Sequence, residues 1–215
     1  MRPSSPWWKS AVAPRSAAIL AGGLASRFGG TDKGALLVDG RTIFDRQVAE
    51  LSTLTDDVLV VRGTDIGRDG RTSSRASPRV VADRVPECGP LGGLHAALLE
   101  ARGDAVFVVA CDMPYVTAPF IAYLFSLASE VDIVVPQTER GYHPLCAVYT
   151  RACLEPVAVR LADRRLAMHD LVAAMRRRVV TAEEIDRFGD RYRLLANVNT
   201  PAEYAGLEAL QGPKL

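Results

Sequence analysis

Residues Leu20 to Gly34, LAGGLASRFGGTDKG, hold five glycines together with Arg27 and Lys33. Glycine permits positive φ and close backbone approach, so a loop through Gly22, Gly23, Gly29 and Gly30 can turn successive N–H groups toward one point. Such a nest binds anions. Arg27 and Lys33 add mobile positive charge beside it, which suits a polyphosphate better than a single carboxylate. The loop departs from both common phosphate loops: Lys33 is followed by Gly34 instead of Ser or Thr, and no G-x-G-x-x-G is present.

Acidic and amide side chains recur at the ends of apolar runs. Asp112 stands just after Ala105–Ala110, with Pro114 beyond it, which is where an α/β enzyme holds a metal ion. Its plain alternative is a helix cap, a role open instead to Thr117. Asp83 closes V-V-A-D and either anchors a ligand or opens the loop toward Pro86. Cys88-Gly89-Pro90-Leu91-Gly92-Gly93 leads into a helical pattern, and Gly-Pro is an ordinary helix start. His143 lies in G-Y-H-P-L, and a histidine alone in such a place is more often a satisfied surface group than a catalytic one. Asn197 and Asn199, one residue apart in N-V-N-T-P, share a face of any extended segment. They suit contact with a ligand, orientation of the metal site, or the cap of a last helix after Pro201.

Placing these groups together requires strands that end side by side. Ser16–Leu20, Asp57–Val61, Val80–Ala82, Ala105–Ala110 and Asp132–Pro136 are short, β-branched and apolar on both faces, as buried parallel strands are. A sixth run, Cys146–Tyr149, follows His143. Helical stripes lie between them, over Ile43–Leu51, over Leu91–Ala101 through Leu91, Leu94, Leu98 and Leu99, and through Phe120, Tyr123, Leu124 and Leu127. Further stripes run through Leu154 to Leu161 and Met168 to Met175. The alternation predicts an α/β fold, a single domain with a mostly parallel central sheet flanked by helices. Residues 16–210 form that domain, residues 1–15 an N-terminal extension expected to be disordered, and residues 62–79 a polar surface loop.

Composition narrows the partners. Twenty-six basic and 25 acidic residues leave a net charge of +1 over 215 residues, so no global field exists to hold a nucleic acid or an acidic membrane. No apolar run approaches the ~20 residues that span a bilayer. Pro3, Pro6, Trp7, Trp8 and Pro14 fit a secretory leader poorly. Cys88, Cys111, Cys146 and Cys153 show neither C-x-x-C nor zinc-ligand spacing. Scattered thiols of this kind suit a reducing cytoplasm.

The pattern L-A-G-G-x-x-x-R-x-G-G-x-D-K, Leu20 to Lys33, resembles the signature of nucleotidyltransferases with a Rossmann-like, GT-A-type fold. Within them the chain most resembles the molybdenum cofactor guanylyltransferases (MobA family), over residues 17 to about 208, with G-P-L-x-G at Gly89–Gly93, H-P-L at His143 and N-V-N-T-P at Asn197. The resemblance implies transfer of GMP from GTP to the phosphate of molybdopterin, with release of pyrophosphate and with Mg²⁺ on Asp112 bridging the reacting phosphates. It implies Arg27, Lys33 and Asp112 as catalytic groups. Leu20, Ala21, Gly22, Gly23, Lys33, Asp83, Gly89, Pro90, Leu91 and Asp112 would contact the nucleotide. His143, Asn197 and Asn199 would bind the acceptor, with Arg164 and Arg165 matching a basic pair near its phosphate. Transient contact with other cofactor-biosynthesis or molybdoenzyme-chaperone proteins is implied at the family level.

Phe28 replaces a methionine frequent in relatives, and Arg62 stands where some have asparagine, so no nucleotide contact is carried to Arg62. Three rivals differ at readable positions. Cytidylyltransferases, whether of molybdopterin or of a polyol or sugar phosphate, carry L-A-A-G where this chain has Ala21-Gly22-Gly23. A glycosyltransferase would show D-x-D at the Asp112 strand end, where this chain has Cys-Asp-Met. A non-catalytic GTP-binding adaptor would be favoured by loss of Lys33 or Asp112, and both are present.

Overall fold

Apolar side chains on both faces of Arg15–Leu20 (β1) place this strand in the middle of a sheet, with Ala17 to Ile19 at most 1% exposed. The computed structural model describes residues 14–21, 36–63, 78–85 and 87–198. β1 pairs in parallel with Val58–Arg62 (β4) on one side and Ala105–Ala110 (β6) on the other. Two two-residue strands, Leu37–Val38 (β2) and Arg41–Thr42 (β3), form a separate hairpin before Ile43–Ser52 (α1). Arg79–Ala82 (β5) adds in parallel beyond β4, and Gly89–Glu100 (α2) then crosses back to β6.

Beyond β6 the sheet becomes mixed. After Ala118–Ser126 (α3) come Ile133–Thr138 (β7), the short Gly141–Tyr142 (β8) and Cys146–Thr150 (β9), which runs antiparallel to both β6 and β7. Leu154–Ala162 (α4) and Met168–Ala174 (α5) lead to Arg177–Val180 (β10), parallel to β7. Ala182–Asp186 (α6) and Arg191–Leu194 (α7) follow. The main sheet reads β10-β7-β9-β6-β1-β4-β5, with β8 paired to β7.

Alternate residues of the central strands face two cores, as period-2 geometry requires. Ala18, Leu20, Leu59, Val61 and Val108 pack under α2, α4 and α5, while Ala17, Ile19, Phe107 and Val109 pack under α1, α3, α6 and α7. The fold class is therefore as expected, with small local differences. β1 begins at Arg15, inside the segment assigned to the extension, and Leu99 is 41% exposed instead of continuing the α2 stripe. β10 was not foreseen, because Arg177 and Arg178 break its apolar run. Residues 1–13, most of the 62–79 loop and the helix expected after Pro201 lie outside the described residues. Among the described residues no helix is long and apolar enough to cross a membrane.

The amino edge of the sheet is tied by a buried polar group. Asp57 accepts hydrogen bonds from the Ser16 hydroxyl, the Arg102 N–H and the Arg79 guanidinium. Burial pushes its carboxyl up, but these bonds outweigh that and hold it below the ordinary carboxylate range.

Candidate functional site

The chain leaves β1 toward β4 on one side and returns through α2 to β6 on the other, so the strand order reverses between β1 and β6. Open α/β sheets bind ligands outside the carboxyl ends of the strands at such a switch point. The ladder runs past the strand ends here, with Ala21 N–H donating to Val61 O at 2.8 Å and Cys111 N–H to Leu20 O at 3.2 Å. Leu20, Ala21 and Asp112 therefore meet at this edge.

Asp112 is partly exposed, one residue beyond the last ladder contact of β6. Met113 N–H donates to Ala110 O at 3.3 Å, a turn with Asp112 at its third position. Asn197 Nδ2 donates to Asp112 Oδ1 at 3.0 Å, and Val198 N–H donates to Asp112 O at 2.8 Å. Asn197 and Val198 are thus bound to the Asp112 turn. Thr117 begins α3 as its N-cap residue but its hydroxyl makes no cap bond; Glu50 of α1 accepts from Ala118 N–H at 2.6 Å instead. The cap expected of Thr117 is supplied from another element.

Asp83 follows β5 at the same edge, with its N–H donating to Arg62 O and its Oδ1 accepting from Val85 N–H at 3.0 Å. Three strand spacings separate it from Asp112, about 14 Å at the usual interstrand distance. The two carboxylates therefore stand at well-separated points along one edge of the sheet. Its carboxylate lies against the first turn of α2, where a Cβ on Gly92 would stand 2.8 Å from Asp83 Oδ2 and 3.0 Å from Val85 O. A Cβ on Gly93 would meet Leu20 at 3.3 Å. These two glycines bring α2 down onto β1 and Asp83 together.

The G-P-L loop is shaped by two left-handed residues, Glu87 at φ 61° and Gly89 at φ 58°, with Pro90 in the first turn of α2. Leu91 is fully buried, so it anchors the loop to the core while Gly89 and Pro90 are exposed. Arg164 reaches this loop, its guanidinium donating to the buried Cys88 Sγ at 3.4 Å. Arg165 turns away to Asp163 at 3.3 Å.

His143 lies on the other side of Asp112. Ala110 N–H donates to Leu145 O, which sets the start of β9 beside the end of β6. The His143 N–H donates to Pro136 O at 2.9 Å, and Nε2 is 2.9 Å from Thr138 Oγ1. Burial, then Arg140 and His169, hold its pKa below the ordinary histidine value, so it is neutral at pH 7. The edge therefore runs Asp83, Arg62, Ala21, Asp112, His143. Gly22, Gly23, Arg27, Lys33 and Asn199 lie outside the described residues.

Among the described residues no three His, Cys, Asp or Glu side chains gather as a metal cage. Burial raises the Cys146 thiol far above the ordinary range and pushes Cys153 up to about 12, which leaves these two thiols protonated at neutral pH. A cavity of about 310 Å³, lined by Arg41, Arg46, Tyr115, Asp190 and Arg193 with Pro114 and Thr117, contains none of the candidate catalytic or binding residues. Sequence reasoning missed Arg46, Gln47 and Glu50, α1 side chains that grip the segment after β6. The signal for Gln47 was present, as an amide at an i+4 position between Ile43 and Leu51.

Comparison with known proteins agrees with this geometry. Residues 17–180 match the MobA-like NTP transferase domain family. The molybdenum cofactor guanylyltransferase of Desulfosudis oleivorans is 32% identical over 192 residues, covering 89% of this chain and 93% of that protein. The molybdopterin-guanine dinucleotide biosynthesis protein A of Archaeoglobus fulgidus superposes with a TM-score of 0.76 at 20% identity, over 93% of this chain and all of that one. A Mycobacterium tuberculosis protein solved in complex with manganese shares the fold at TM-score 0.61 and 18% identity, over 90% and 97% of the two chains. With three quarters of its length matched to the family and a curated relative aligned along nearly all of it, the chain belongs to the MobA-like NTP transferase family.

Proposed function

We propose that this protein is a molybdenum cofactor guanylyltransferase, transferring GMP from GTP to the phosphate of molybdopterin and releasing pyrophosphate. The observation that carries the reading is the position of Asp112 at the β1/β6 switch point, between Ala21 and Asp83 on one side and His143 on the other. The name of the Desulfosudis relative supports the choice of nucleotide and acceptor.

In this reading the glycine loop, with Arg27 and Lys33, holds the triphosphate and offsets the charge that grows on the leaving pyrophosphate. Asp83 and Gly89–Leu91 hold the nucleoside. His143, Asn197 and Asn199 would bind the acceptor, Asn197 where its amide also holds Asp112, and a neutral His143 would orient by hydrogen bonding without carrying charge. Asp112 holds the metal. Magnesium is usually bound by one or two carboxylates, with phosphates and water supplying the rest, so a single carboxylate fixed by Asn197 fits it. Bound there, the ion would supply charge neutralisation for the reacting phosphates. The manganese of the mycobacterial neighbour accords with a divalent ion. The acceptor phosphate is largely ionised at neutral pH, since its second pKa is about 6, so no general base is needed.

Pyrophosphate release tests this directly. It should require GTP, magnesium and molybdopterin together and should vanish in Asp112→Ala. Release with CTP in preference to GTP would move the enzyme to the cytidylyl branch, and GTP binding without release would leave a non-catalytic adaptor.

A further inference from the structure

Gln47 occupies the apolar stripe of α1. Ile43 and Leu51, one turn to either side, are buried, and Gln47 itself is 3% exposed. A leucine would fill this position without burying a polar group. The amide instead donates through Nε2 to Ala110 O at 2.8 Å and to Met113 O at 3.0 Å, the two carbonyls that bracket Cys111 and Asp112. Its Oε1 is buried without a partner among the described residues. An unmatched buried acceptor is costly, and the two bonds from Nε2 to the carbonyls on either side of Asp112 offset that cost.

Within the turn that carries Asp112, Met113 N–H donates to Ala110 O at 3.3 Å. Gln47 spans both ends of that turn from a rigid helix, while Asn197 holds the carboxylate itself. Small errors in such outer supports are felt at a bound ion, because ligand orientation is set by the groups behind the ligand.

We infer that Gln47 is a positioning residue for Asp112, clamping the turn so that the carboxylate is presented to the divalent ion in one orientation. The inference rests on the reading that Asp112 holds that ion. It assigns to α1 a part in the reaction that no contact with substrate would give it.

The test is isothermal titration of GTP into wild type, Gln47→Met and Asp112→Ala, once with manganese and once in EDTA, with thermal melts alongside. Gln47→Met keeps the volume and removes both donors; if it does not fold, Gln47→Asn, one methylene too short for both carbonyls, replaces it. The expected result is an unchanged GTP affinity in EDTA and a metal-dependent gain about 10-fold smaller than in wild type. A gain equal to wild type, or equal weakening with and without metal, would overturn the inference and leave Gln47 as packing. An Asp112→Ala protein that keeps the full metal-dependent gain would instead overturn the placement of the ion on Asp112, and the role of Gln47 with it.

Discussion

Asn197 donates through Nδ2 to Oδ1 of Asp112 at 3.0 Å, although 85 residues separate them in the chain. The adjoining Val198 N–H donates to the Asp112 carbonyl, so both the side chain and the backbone of this aspartate are held by one extended segment. The bond fixes the orientation of the carboxylate.

Asn197→Ala should therefore lower kcat by about 10- to 100-fold, the range seen when a group behind a metal ligand is removed. Asn197 is exposed, so the melting temperature should change little. A kcat within twofold of wild type would show that Asp112 needs no help from this amide.

Lys33→Ala should reduce turnover by roughly 10²-fold, as loss of one preorganised donor to a developing anion commonly does. The loss should appear in kcat more than in KM for GTP. An unchanged rate in the folded variant would remove Lys33 from the chemistry.

Gly92→Ala tests the nucleotide side. The added Cβ would press on the Asp83 carboxylate and on Val85 O, both within 3.0 Å. Helix propensity favours alanine by about 1 kcal/mol, so global stability should be little altered while Asp83 is displaced. KM for GTP should rise roughly 10- to 100-fold, the scale of a displacement near 1 Å. A normal KM would mean that Asp83 does not touch the nucleotide.

Glu184 predicts an acid-side loss of stability. Burial pushes its carboxyl up, but hydrogen bonds from the Tyr123 hydroxyl, the Thr181 N–H and Arg178 outweigh this and hold it down at about 2. An unfolded glutamate titrates near 4.3, so the folded value is depressed and the contribution is present above about pH 5. It is lost as pH falls from there through 4.3 toward 2. Glu184→Gln should cost about 1 kcal/mol at pH 7 after solvent screening, with the gap from wild type closing toward pH 2 to 3 in urea titrations. A gap independent of pH would show that the carboxylate charge contributes nothing.

Strands buried on both faces were the most legible part of the sequence, and β6 was expected at its observed bounds, Ala105–Ala110. The elements that escaped were those without a long periodic apolar signal: β10 behind two arginines, β2, β3 and β8 of two residues each, and the short helices α6 and α7. For the site, residue types at strand ends singled out Asp112 and Asp83 and the N-V-N spacing singled out Asn197, but the bond between Asn197 and Asp112 across 85 residues is a product of topology that local spacing does not encode. The same limit hid Glu50, whose capping bond reaches α3 from another helix, and it sent the cap to Thr117.

Whether Asp112 makes GTP binding depend on a divalent ion is decided by isothermal titration of the protein with GTP, CTP and UTP, with and without magnesium. The expected result is binding selective for GTP, tightened by magnesium in wild type and insensitive to it in Asp112→Ala. Magnesium-independent binding in wild type, or a preference for CTP, would contradict it.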